Sequence, residues 1–237
     1  MLIKVEDLSV ESKEKKILEK VDFEMKPGEV QALLGPNASG KSTFAQVILG
    51  NPNFKITKGK IVFKEKDITE MKPEERVDLG ISLSWQHPPT IKGVKFSNLL
   101  DRISKKNVSR KEININSDLL NREVNLNFSG GEKRMAELLQ ILSLDPKLVI
   151  FDEIDSGLDM KMIERVAEII KREFIDKKVG VILITHSGDI LNFLKPGVTN
   201  VMVKGKIICK SNDYKKVLKA IKKYGYEKCK KCKLLSS

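Results

Sequence analysis

The run Val30-Gln-Ala-Leu-Leu34 passes without a break into Gly35, Pro36, Asn37, Ala38, Ser39, Gly40, Lys41 and Ser42, and then into Thr43-Phe-Ala-Gln-Val-Ile-Leu49. A short apolar strand, a turn bracketed by glycines and ending in Lys-Ser, and an apolar-periodic helix together form a P-loop. Backbone N–H groups of such a turn point at one spot beside a helix N-terminus, which makes an anion nest. Lys41 is placed to reach β- and γ-phosphates, Ser42 to hold Mg²⁺ through its hydroxyl, and Gly40 to let the backbone approach the phosphates closely. This order of elements demands an α/β fold, because the nest works at the carboxyl edge of a parallel sheet.

Two later runs repeat the pattern of a buried strand ending in polar chemistry. Leu148-Val-Ile-Phe151 ends in Asp152 and Glu153, and Val181-Ile-Leu-Ile184 ends in Thr185 and His186. Strands this apolar are buried on both faces. Asp152 is the candidate for a water-mediated Mg²⁺ contact, and Glu153 for orienting or deprotonating an attacking water. His186 can bond a γ-phosphate or Glu153. Gln86 follows Ile81-Ser-Leu-Ser-Trp85 and is a further candidate ligand for Mg²⁺ or water. Ser129, Gly130, Gly131 and Glu132 open the helix that carries Met135, Leu138, Leu139 and Leu142. That turn has donors and a helix dipole but no lysine, so it reads as the completion of a phosphate site begun on another chain.

Helical spacing recurs at Ile163, Val166, Ala167, Ile170 and Phe174, and again from Tyr214 to Tyr224, capped by Asn212-Asp213 and stopped by Gly225. Residues 1–27 alternate as strands, and Ile61 to Asp67 reads as a hairpin, so an antiparallel β edge is expected. The expected organisation is a RecA-like core over 1–86 and 129–237, with a small inserted helical subdomain over 87–128. Seven asparagines and only broken helical patterning set that insert apart.

The net charge of +12 is concentrated: twelve lysines between Lys204 and Lys233 face only Asp213 and Glu227. The segment 204–237 reads as a lysine-rich end of the core, either a solvated helix face or a surface that could meet an acidic protein, nucleic acid or a membrane; no nucleic acid is expected. Of three cysteines, Cys229 and Cys232 are spaced as two soft metal ligands where a closed site takes four, and the spacing is equally that of reduced thiols. No stretch reaches the ~18 apolar residues of a membrane span, and the N-terminus alternates like a strand, which gives a soluble, cytoplasmic reading with no direct membrane insertion.

Taken in order, the P-loop, Gln86, Ser129-Gly-Gly-Glu132, Asp152-Glu153, Ser156-Gly-Leu-Asp159 and His186 resemble the ATP-binding cassette ATPases over nearly the whole chain. The runs Trp85-Gln-His-Pro-Pro-Thr-Ile-Lys-Gly-Val94, Phe128-Ser-Gly-Gly-Glu-Lys133 and Asp152-Glu-Ile-Asp-Ser-Gly-Leu-Asp159 are similar to the SufC-type branch, the ATPases of iron–sulfur cluster assembly. The resemblance implies a Mg-dependent ATPase that dimerises on ATP, with Asp159 linking the two sites. It also implies a SufB/SufD-like β-helical scaffold as partner, docked on residues 87–128. The ATPase subunit of a membrane importer is the alternative, with the same nucleotide chemistry. Two departures carry expectations. Ala38 stands where the family has glycine, which calls for a negative φ there. No aromatic precedes Val21 to stack on adenine, which leaves a side chain near Val10 for that contact.

Overall fold

The computed structural model describes residues 1–85, 88–105, 113 and 115–226. Gln86, most of the stretch 106–114, and Cys229 and Cys232 lie outside the described residues. Its centre is a six-stranded sheet. β3 (Val30–Leu34), β6 (Ile81–Ser84), β9 (Leu148–Asp152), β10 (Gly180–Thr185) and β11 (Val198–Val203) run parallel, and β12 (Lys206–Ser211) closes one edge antiparallel to β11. The strand order is β12-β11-β3-β10-β9-β6.

Alternate residues of each central strand enter different cores. Ala32, Leu34, Val149, Phe151, Val181 and Leu183 join one cluster, while Leu33, Leu148, Ile150, Ile182 and Ile184 join the other. A period of two with both faces apolar is what a sheet covered on both sides requires. On one face pack α5 (Gly130–Ser143), α6 (Met160–Ile170), the short α7 (Leu191–Leu194) and α8 (Tyr214–Tyr224), and α6 runs on into a wider π-helical turn, Lys171–Ile175, that seats Phe174 edge-on against Phe151. On the other lies α1 (Lys41–Leu49), with Phe44 edge-on to Phe23.

The expected antiparallel edge is a sheet of its own. β1 (Ile3–Ser12) pairs with β2 (Lys15–Met25) and with β4 (Lys55–Phe63), which pairs with β5 (Lys66–Asp67), in the order β2-β1-β4-β5. Its inward residues, among them Ile3, Val5, Leu18, Met25 and Ile61, cover α1. The short α2 (Pro73–Asp78) projects Arg76 into this region, where its guanidinium donates to the carbonyls of Val47, Ile48, Thr69 and Met71 at 2.8–3.0 Å.

Between β6 and α5 lie β7 (Ile91–Lys95), α3 (Phe96–Ile103), α4 (Ser117–Asn121) and β8 (Glu123–Val124), with β7 and β8 paired antiparallel. Phe96, Leu100, Leu119 and Val124 are buried against α5 in the same cluster as the sheet. The asparagines have local work here. Asn116 caps α4 by accepting from the Asp118 N–H, and Asn125 and Asn127 occupy left-handed conformations, φ 58° and 56°, which their short polar side chains tolerate. Among the described residues no helix is long and apolar enough to cross a membrane.

Candidate functional site

The strand order decides what can meet. β10 lies between β3 and β9, with Thr185 level with Leu34 and Ile184 level with Asp152. The turn after β3, the two carboxylates after β9 and the histidine after β10 therefore emerge side by side at one sheet edge. A cavity of about 390 Å³ opens there, lined by Asn37 through Thr43, Glu153, Ser156 and His186.

Lys41, first residue of α1, is buried, and its Nζ donates to the carbonyls of Gly35 at 2.8 Å and Pro36 at 3.0 Å. Burial pushes its pKa down, while the Glu153 and Asp152 carboxylates pull the other way. The ammonium is thus held at the mouth of the nest by two carbonyls that a phosphate can replace. The loop is pinned from outside by the Gly205 N–H, which donates to the Ser39 carbonyl at 2.8 Å. Gly40 sits at φ 105°, and a Cβ there would meet Leu18 at 2.8 Å, so only glycine makes this entry into α1. Ala38 departs from expectation: its φ is +59°, not negative. An alanine in the left-handed region costs roughly 1 to 2 kcal/mol.

Asp152 is 4% exposed, and one of its carboxylate oxygens has no hydrogen-bond partner. Burial pushes its pKa up, a hydrogen bond from Ser42 opposes that, and the neighbouring Glu153 adds to the rise. A buried carboxylate with a bare oxygen beside a serine hydroxyl fits a divalent cation. Among the described residues no cluster of three or more His, Cys, Asp or Glu side chains could hold a metal. A cation here would rest on Ser42, Asp152 and phosphate oxygens.

Glu153 has φ +53°, and its N–H donates to the Ile184 carbonyl at 2.8 Å. Its Oε1 lies 3.6 Å from Nδ1 of the half-exposed His186. Two residues later the chain supplies Asp155, buried, whose Oδ2 accepts from Thr185 Oγ1 at 2.9 Å and Ser187 Oγ at 3.1 Å. The hydroxyls on either side of His186 are therefore gripped by the loop that carries Glu153.

The turn at Ser129 is a capping box: Ser129 Oγ accepts from the Glu132 N–H, and Glu132 Oε2 accepts from the Ser129 N–H at 2.7 Å. Glu132 also lies 3.7 Å from Arg122. A Cβ on Gly130 would meet nothing within 4 Å, whereas one on Gly131 would meet Met162 at 2.7 Å. None of these residues lines the P-loop cavity. Asp159 is the N-cap of α6, accepting from the Met162 N–H at 2.9 Å. Val10 itself is wholly buried in the core.

Sequence reasoning missed the network behind Glu153. Arg134 on α5 is buried and donates to Trp85 O at 2.9 Å, Glu137 Oε2 at 3.1 Å and Glu153 O at 3.3 Å. Glu137 Oε1 accepts from the Trp85 N–H at 2.6 Å. Desolvation raises the Glu137 pKa and Arg134 opposes it. The signal was present: Glu137 falls on the apolar face between Met135 and Leu138, three residues from an arginine.

The protein family described as ABC transporter matches residues 18–156. The chain is 39% identical to the probable ATP-dependent transporter ycf16 of Antithamnion sp., over 96% of this chain and 97% of that one. It is 35% identical to the probable ATP-dependent transporter SufC of Escherichia coli (strain K12), over 95% and 97%. The chain belongs to the SufC-type ATP-binding cassette ATPases. The fold agrees: a solved ATP-binding cassette of an ABC transporter superposes with a TM-score of 0.79 at 26% identity, over 93% of this chain and 96% of that one. As a cassette ATPase the chain binds and hydrolyses ATP.

Proposed function

We propose that this ATPase is a cytoplasmic enzyme that works as an ATP-closed pair and drives conformational change in a SufB/SufD-like scaffold during iron–sulfur cluster assembly. The observation that carries the pairing is the separation of the two phosphate elements. The cavity at Lys41 contains no residue of the Ser129 turn, while Gly130 presents its bare face to open space. Two chains arranged head to tail would complete each P-loop with the partner's Ser129, Gly130 and Gly131, with Glu132 holding the cap and Asp159 next to the junction.

Within each site, Gly35 to Gly40 and Thr43 cradle the phosphates, and Lys41 exchanges its two carbonyls for phosphate oxygens. Ser42 and Asp152, with Gln86 from outside the described residues, would hold Mg²⁺, which neutralises charge on the β- and γ-phosphates. Glu153 takes the proton of the attacking water, and His186, 3.6 Å from its carboxylate, steadies Glu153 and bonds the γ-phosphate. Arg134 and Asp155 fix the Glu153 backbone and the histidine turn around them.

A groove of about 300 Å³ between β6, α3 and α5, lined by Leu83, Trp85, Pro89, Ile91 and Leu99 among others, supports docking on 87–128. A scaffold docked there would touch Trp85, whose carbonyl shares Arg134 with the Glu153 carbonyl. The test of pairing is Glu153→Gln, which should bind Mg-ATP and accumulate as a dimer by light scattering; a monomer at saturating Mg-ATP would reject the pair. Co-purification tests the partner. A soluble β-helical protein supports cluster assembly. The relatives are described as probable ATP-dependent transporters, which favours the second reading, an importer subunit, and a permease with transmembrane helices on the same affinity column would select it.

A further inference from the structure

We infer that Tyr226, beyond the last helix, is a positioning residue for His186, and that Gly225 is the turn that delivers it; this rests on the reading of His186 as part of the hydrolytic site. Tyr226 Oη donates to the His186 carbonyl at 3.2 Å, across 40 residues of chain. The same turn is held from the inside by Asp155, through Thr185 and Ser187, and by the Gly188 N–H, which donates to Thr185 Oγ1 at 3.1 Å. His186 therefore sits on a short loop fastened on two sides by groups far apart in sequence, and Tyr226 is the fastening at the histidine itself.

The route to that contact is built into α8. Asp213 caps its N-terminus by accepting from the Lys216 N–H at 3.0 Å, and Tyr214 and Val217 bury it on the core. Leu218 packs so closely on the histidine turn that a Cβ on Gly188 would lie 2.7 Å from it. The helix then ends at Gly225, with φ 72° and ψ 171°, a conformation essentially confined to glycine. No neighbour requires glycine there, since a Cβ would meet nothing within 4 Å. The backbone alone requires it, and what the backbone gains is the reversal that brings Tyr226 back over the histidine turn and into the apolar cluster.

A carbonyl hydrogen bond fixes the peptide plane from which the imidazole projects. With His186 Nδ1 3.6 Å from Glu153, a small rotation of that plane changes whether the ring faces the carboxylate and the cavity or solvent. Positioning of this kind acts on turnover more than on nucleotide binding, because the P-loop contacts lie elsewhere.

The test compares Tyr226→Phe, Gly225→Ala and His186→Ala. Tyr226→Phe removes one partly exposed hydroxyl, so the melting temperature should hold while kcat falls roughly fivefold and KM for ATP stays within about twofold. Gly225→Ala keeps the hydroxyl but not the turn, and should lose turnover in the same way. The chain has two histidines, so the imidazole resonances assign by comparison with His186→Ala, and the His186 signal should shift in Tyr226→Phe. In the His186→Ala background Tyr226→Phe should add nothing. If His186→Ala slows hydrolysis while Tyr226→Phe leaves both kcat and the His186 resonance unchanged, the inference falls alone. If His186→Ala retains full turnover, the reading of the site falls and takes the inference with it.

Discussion

Ala38 is the one P-loop residue whose backbone works against its side chain, at φ +59° in a position where glycine is free of strain. Ala38→Gly should therefore stabilise the protein by about 0.5 to 1 kcal/mol, after the extra entropy of glycine in the unfolded chain is subtracted. Urea unfolding checks this, and a lower midpoint in the variant would show that the loop gains something from the methyl group. Arg134 is the opposite case. Its buried pairing with Glu137 means that removing one partner strands a charge, so Arg134→Ala should cost on the order of 3 kcal/mol; loss of turnover with unchanged stability would contradict that. The two residues also mark how far single positions could be read. Lys41, Glu153 and His186 are legible because strand, turn and polar residue are adjacent in the chain. Arg134 and Asp155 act through partners 19 to 49 residues away, and no local pattern encodes which carbonyl an arginine will find.

At the level of elements, α1 is held at both ends. Its N-terminus is the phosphate nest, and its last carbonyls, Val47 and Ile48, accept from Arg76. Arg76→Ala would leave four carbonyls without that donor and a void in the core, costing about 3 kcal/mol or more. Thermal unfolding checks this, and because α1 carries Lys41 the same variant should bind ATP less tightly. The start of α5 responds to pH. The Ser129 N–H holds the Glu132 carboxyl below its ordinary 4.5. A depressed carboxyl stabilises above its unfolded pKa and loses that contribution as pH falls through the folded value, so the cap should open below about pH 4.5. Amide exchange in the first turn of α5 should rise in that window, and Glu132→Gln should remove the pH response. Elements were the most legible scale, since two-residue periodicity with both faces apolar announces a covered parallel sheet. The antiparallel strands announced themselves too, but not that they form a separate sheet over α1. That choice depends on which face finds a partner, which is a tertiary matter.

For the whole molecule, the proposed composite site makes a prediction that no single variant can test. Lys41→Ala and Ser129→Arg should each be inactive alone, and mixing them should restore hydrolysis, because one site of each mixed pair retains an intact P-loop and an intact partner turn. Activity that stays absent after mixing, with mixed pairs demonstrated by differential tagging, would remove the composite site. The strand order has a further consequence, for how the chain is made. Among the described residues β3, which carries the phosphate loop, pairs only with β10 and β11, so a strand begun at Val30 waits for Gly180 to Val203 before it has a neighbour. During synthesis the nucleotide pocket is thus among the last parts to close. A ribosome paused before residue 180 would carry a complete phosphate-loop sequence that cannot yet hold ATP, and its apolar central strand would be left for chaperones to shield.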